Sequence, residues 1–69
     1  MNKYNVGETI FFVRRNSSNF WSVKRGEIVE VITGELGVCY KTKNDYIVDE
    51  DEVHATYSQA RRVANDNNG

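Results

Sequence analysis

A chain of 69 residues with 39% hydrophobic, 12% aromatic and 28% charged residues has the balance of one ordered domain, and it is too short to bury a core and also house a large catalytic cleft. The longest wholly apolar run, IFFV at 10–13, is far below a bilayer span, and the polar start MNKYNVGE lacks the layout of a secretory signal, so a cytoplasmic protein without membrane association is expected. One Cys39 and one His54 exclude an intrachain disulfide and a zinc-ligand set, and neither metal nor cofactor is expected.

The net charge of −1 hides an uneven distribution. Residues 1–44 carry seven Lys/Arg against four Glu (net +3), residues 45–53 carry five acids and no base (net −5), and residues 54–69 carry two Arg against one Asp (net +1). Such segregation predicts a surface with two poles.

In chain order, residues 8–14, ETIFFVR, are rich in β-branched and aromatic residues and read as a first strand. RNSSNFW follows as a loop, because Asn and Ser side chains bond their own backbone. WSVKRGEIVEVIT reads as a long second strand with aliphatics on both faces, so one register is not forced. Gly26 inside it suggests a bulge or sharp bend, the device by which one strand serves two sides of a small barrel.

In LGVCYKTK, Val38, Tyr40 and Thr42 alternate with Cys39, Lys41 and Lys43, which places Val38 and Tyr40 inward. A tight connection at KN or ND leads to a fourth strand in DYIV, making residues 36–48 a hairpin. In the acid run that follows, Asp49 ends the strand, Glu50 to Glu52 form a turn, and Val53 returns to the core. Thr56 followed by Gln59 matches a capping box, and Tyr57, Ala60, Val63 and Ala64 recur at helical spacing. Residues 56–65 are therefore expected to form a short helix laying Tyr57 and Val63 over an open end of the barrel, before a flexible tail at 66–69.

Short strands with turns every 8 to 12 residues and one bent strand indicate a mainly β, closed or half-closed small barrel. VGETI at 6–10 resembles the V-G-D-x-V opening of SH3-like barrels, RGEIVEV at 25–31 is similar to the basic-Gly-x-Val bend of their KOW and Tudor-like branches, and DYIVDEDEV looks like their closing strand and acidic turn. The chain as a whole resembles the small barrel proteins of bacteriophages, prophages and other mobile elements. This resemblance implies a five-stranded antiparallel SH3-like barrel over residues 1–55. It also implies a non-enzymatic module that binds peptides, proteins, RNA or DNA, the fold alone not choosing among them.

Two candidate surfaces compete. If the turn at 33–35 pairs Ile32 with Leu36, Arg25 falls opposite Lys43 and Glu27 opposite Lys41, and the first loop brings Arg14 and Arg15 near Lys24. Arg14, Arg15, Lys24, Arg25 and Lys43 then form a basic stripe beside Phe20 and Trp21, as single-strand nucleic-acid binding requires. The favoured alternative is a shallow protein-binding groove using Phe20, Trp21 and Tyr46 with the acids Asp49, Glu50 and Asp51. Phe12 and Tyr40 are assigned to the core, while Phe20 and Tyr46 are expected at the surface. The protein is expected to act as a monomer or weak homodimer, with no small-molecule substrate.

Catalytic chemistry finds little support. Cys39 lies mid-strand without a helix N-terminus or Gly-rich turn to activate it, and His54 is expected to pair with Glu50 or Glu52. The contiguous, Gly-free DEDE lacks the alternation of a calcium loop, and five clustered acids do not cover a face broad enough to imitate DNA.

Overall fold

A computed structural model describes residues 2–69. Four antiparallel strands, β1 (Thr9–Arg15), β2 (Trp21–Gly34), β3 (Gly37–Thr42) and β4 (Ile47–Asp49), lie in that spatial order. A 3₁₀ turn (Glu50–Glu52) and one helix, α1 (Tyr57–Asn68), complete the chain. The sheet curls into a half-barrel whose core is Ile10, Phe12, Ile28, Tyr40 and Val48, all fully buried, with Tyr4, Val31, Val38, Tyr46 and Val53 packed against it.

The bend in β2 makes the curl. Residues up to Glu27 pair with β1, and from Ile28 onward the strand pairs with β3. The irregularity lies at Val29 rather than at Gly26, since β2 advances from Ile28 to Glu30 while β3 advances by one residue. One extra residue reverses the side-chain phase, so Gly26 and Ile28 point inward before it and Val31 after it. This accounts for aliphatics on both faces of the sequence pattern. Gly26 has a different role: a Cβ there would lie 2.7 Å from Thr42 Cγ2, so the fully buried Thr42 fills the space a side chain would need.

The β2–β3 hairpin turns at Glu35 and Leu36, pairing Gly34 with Gly37 and Ile32 with Cys39. That is three residues away from the register in which Ile32 meets Leu36, so Lys41 faces Glu30 instead of Glu27, and Lys43 donates its N–H to the Glu27 carbonyl at 2.9 Å instead of lying opposite Arg25, whose strand partner is Phe11 of β1. The β3–β4 connection is tight, with Asp45 at φ 68.

The expected fifth strand is reduced to one bridge. After the 3₁₀ turn the chain passes Phe11, whose N–H donates to the His54 carbonyl at 3.2 Å and whose carbonyl accepts from the His54 N–H at 2.8 Å.

Helix α1 starts as its capping signal implies, with Thr56 Oγ1 accepting from the Gln59 N–H at 3.2 Å. It continues to Asn68, through the segment expected to be a flexible tail. Its placement also differs from a lid on the barrel end. Ala60, Ala64 and Val63 pack with Val13, Phe11, Trp21 and Val23, forming a second small core on the outer face of β1 and β2. Alanines allow the helix backbone close to the sheet, while Tyr57 stays 52% exposed with its ring edge against Phe11. β1 is thus a shared wall, with Ile10 and Phe12 in one core and Phe11 and Val13 facing the other.

Candidate functional site

The basic stripe does not form as expected, because strand alternation divides it. Lys24 lies opposite Phe12 on the barrel side of β1 and β2, whereas Arg15, opposite Trp21, and Arg25, opposite Phe11, lie on the helix side. Arg14 is committed to structure. Its Nη1 donates to Glu52 Oε2 at 2.9 Å, its Nη2 donates to the Ile47 carbonyl at 2.8 Å, and its guanidinium lies 5.2 Å from the centre of the Phe12 ring. Arg25 and Lys43, though not cross-strand partners, line one shallow recess with Glu27 between them. Arg15 sits over Trp21 at 6.0 Å.

The aromatic groove is likewise divided. Phe20 is 56% exposed in the first loop, but Trp21 packs under α1, where the Asn68 side chain receives its N–H and donates to its carbonyl, both at 2.8 Å. Tyr46, expected at the surface, is half-buried on the barrel side with its ring 5.2 Å from that of Phe12. Trp21 and Tyr46 therefore belong to different cores and share no groove.

The acids separate by role. Glu50 is tied inward, with its Oε2 accepting from the Tyr40 hydroxyl at 2.5 Å and from the Lys3 N–H at 3.0 Å. The Tyr40 hydrogen bond, reinforced by the Lys3 N–H, holds the Glu50 carboxyl below its ordinary range. Burial, then the hydrogen bond to Glu50, raises the Tyr40 phenol. Glu52 accepts from Arg14 and, through Oε1, from the Asp49 N–H at 3.2 Å. His54 therefore joins the fold through its backbone, and the carboxylates expected beside it bind Tyr40 and Arg14. Asp49 and Asp51 remain exposed.

Cys39 is half-buried and its thiol donates to Asp49 Oδ1 at 3.0 Å. That hydrogen bond first, then burial, raises the thiol pKa and holds the group protonated rather than as a thiolate nucleophile.

A different surface emerges at the hairpin tip. β4 ends at Asp49 and the chain turns away, leaving a notch of about 560 Å³ between the tip and the 3₁₀ turn. Ile32, Leu36, Val38 and Cys39 supply its apolar lining, and Glu35, Asp49, Glu50 and Asp51 its acidic edge. Leu36 is fully exposed at 105%. Asp49, Glu50 and Asp51 of this notch are legible as candidates in the sequence, whereas Leu36 reads there as a strand residue, where an apolar side chain needs no further account. The signal was available in the two glycines, Gly34 and Gly37, that frame Glu35 and Leu36 as a two-residue turn.

Among the described residues no helix is long and apolar enough to cross a membrane, and no group of three or more His, Cys, Asp or Glu side chains could hold a metal ion. No protein-family model, curated protein or solved structure matches this chain.

Proposed function

We propose that this chain is a non-enzymatic protein-binding module, an SH3-like barrel of the phage or mobile-element type, and that it receives its partner in the notch beside the 3₁₀ turn. The observation supporting this most directly is Leu36, a leucine at 105% exposure on the rim of an apolar recess edged by carboxylates. Exposed leucine gains nothing for the fold, whereas at an interface it supplies apolar contact. Asp49, which accepts from the Cys39 thiol, and Asp51 are exposed at the edge while Glu50 and Glu52 hold the turn in place, so the acidic edge is presented on a fixed frame. The matching partner is a segment with one apolar anchor flanked by Lys or Arg, the charges setting orientation and association rate and the anchor most of the affinity.

Selection from a random peptide library tests this. Enrichment of apolar residues flanked by Lys or Arg is expected, with binding lost in a Leu36→Ser variant and weakened by Asp49→Asn with Asp51→Asn. Selected peptides without basic bias, or equal binding by the variants, would overturn the reading.

Arg15 stacked over Trp21 beside exposed Phe20 favours a second reading, single-stranded nucleic acid on the helix side. It is weaker because Arg14 and Lys24 do not contribute to that face. Titration with an oligonucleotide should then move the amides of Arg15, Phe20 and Arg25 in a salt-dependent way. Absence of any shift rejects it.

A further inference from the structure

We propose that two copies of this chain pair antiparallel along the open edge of β2 at residues 29–34, with the two-fold axis at Ile32. The edge opens because β1 covers only the first half of β2. The last bonds on that side are made by Ile28, whose N–H donates to the Glu8 carbonyl at 2.9 Å and whose carbonyl accepts from the Gly7 N–H at 2.8 Å. There the chain departs through a turn at Gly7, with φ at 96°. Beyond it, residues 29–34 have no backbone partner on this side among the described residues.

The orientation of the free groups follows from the register. The Thr42 N–H donates to the Tyr46 carbonyl, so even-numbered residues of β3 direct their backbone towards β4 and odd-numbered ones towards β2. Lys41 and Cys39 therefore bond Glu30 and Ile32, leaving Val31 and Thr33 to present N–H and C=O outward. These two residues form a self-complementary pair. A two-fold axis at Ile32 sets Val31 of one copy against Thr33 of the other, and the reverse, so both edges satisfy each other.

Side chains agree with that axis. Ile32, 38% exposed on the outer face, meets its own equivalent at a non-hydrogen-bonded position, where cross-strand side chains approach most closely. Glu30, the one charge in 29–34, falls opposite Gly34 of the second copy, so no like charges meet. The segment VEVITG also contains no Pro, Lys or Arg, the residues by which exposed edges are usually blunted. A second copy is favoured over a foreign extended peptide because its edge is already ordered by β3, whereas a peptide must lose its freedom on docking.

Sedimentation equilibrium of the full chain, read against concentration, tests the pairing. The fitted mass should rise from 7.9 kDa towards twice that value as concentration increases. Ile32→Lys should weaken association at least about tenfold, since it replaces the apolar pair with facing like charges. Ile32→Glu should do the same, and mixing the Lys and Glu variants should restore a mixed dimer, because only this axis places residue 32 against its own copy. Thr33→Pro, which removes an outward N–H without touching the β3 ladder, should also abolish association while a thermal melt confirms the fold. A mass fixed at 7.9 kDa up to millimolar concentration, or a dimer indifferent to Ile32→Lys and Thr33→Pro, or no recovery on mixing, would each overturn the proposal.

Discussion

Arg14 and Glu52, 38 positions apart, meet at 2.9 Å across the seam between the two edge strands. Among the described residues no ladder joins β1 to β4, and the half-barrel is held there by the Arg14 guanidinium, which also donates to the Ile47 carbonyl, with the Phe11–His54 bridge beside it. A partly exposed ion pair alone contributes about 0–1 kcal/mol, and the solvent-exposed hydrogen bond to the Ile47 carbonyl adds about 0.5–1.5 kcal/mol. Arg14→Ala is expected to lower unfolding stability by about 1–3 kcal/mol in urea titrations, and Arg15→Ala by about 0.5 kcal/mol or less. Arg14→Lys should recover only part of the loss, because an ammonium cannot span Glu52 and Ile47 as the planar fork does.

Gly26 and Gly34 are expected to respond differently to the same change. Gly26→Ala places a methyl 2.7 Å from Thr42 Cγ2 and 2.8 Å from Thr42 Cβ, while the nearest atom to a Cβ at Gly34 is the Gly37 carbonyl oxygen at 3.9 Å. Overpacking at the first site should cost about 1–3 kcal/mol by chemical denaturation. Gly34→Ala should be near neutral in the same measurement.

Acid should weaken the fold through Glu50. Its carboxyl is held below the ordinary value of 4.5, first by the Tyr40 hydroxyl and then by the Lys3 N–H. The charged form is thus favoured in the folded state, and this stabilisation is present above the unfolded-state value and lost as pH falls through the folded one. Urea midpoints measured from pH 7 down to pH 3 should decline, and Glu50→Gln should flatten the decline. Tyr40 acts with the opposite sign: its phenol is raised above 10.0, so its contribution is present below that value and lost as pH rises through the higher folded one.

Asn68 pins the end of α1 to the start of β2 through two bonds to the Trp21 backbone. Asn68→Ala should speed hydrogen exchange at the Trp21 amide and lower stability by about 0.5–1.5 kcal/mol. Removal of residues 66–69 should reproduce both effects. Unchanged exchange in both variants would mean that the helix end contributes nothing to holding Trp21.

Legibility of the sequence followed the strength of the local pattern. β1, the long bent β2, the inward set Val38, Tyr40 and Thr42, the acidic turn and the helix start all follow from alternation or capping chemistry. The hairpin register did not, because an apolar Leu36 looks like a strand residue, although Gly34 and Gly37 mark it as the turn. Gly26 reads in sequence as a bulge or sharp bend, whereas the extra residue is Val29: Gly26 is conspicuous, but it answers a contact with Thr42, which no local pattern encodes. Glu50, Glu52 and Arg14 look like surface charges in sequence, and only the curl of the sheet brings them to Tyr40 and to each other. The notch needed the same long-range information, since its rim joins residues from the hairpin tip and from the turn after β4.

The shared wall also acts as a proofreading device. β1 presents alternate side chains to two separate cores, so a slip of one residue against β2 would send Ile10 and Phe12 towards the helix and Phe11 and Val13 into the barrel. Each mistake is therefore rejected twice, once by crowding against Ala60 and Ala64 and once by misfit around Tyr40. The hairpin tip at 33–38 has no such check, and this half of the molecule is where errors of pairing would survive long enough to be passed to a neighbour.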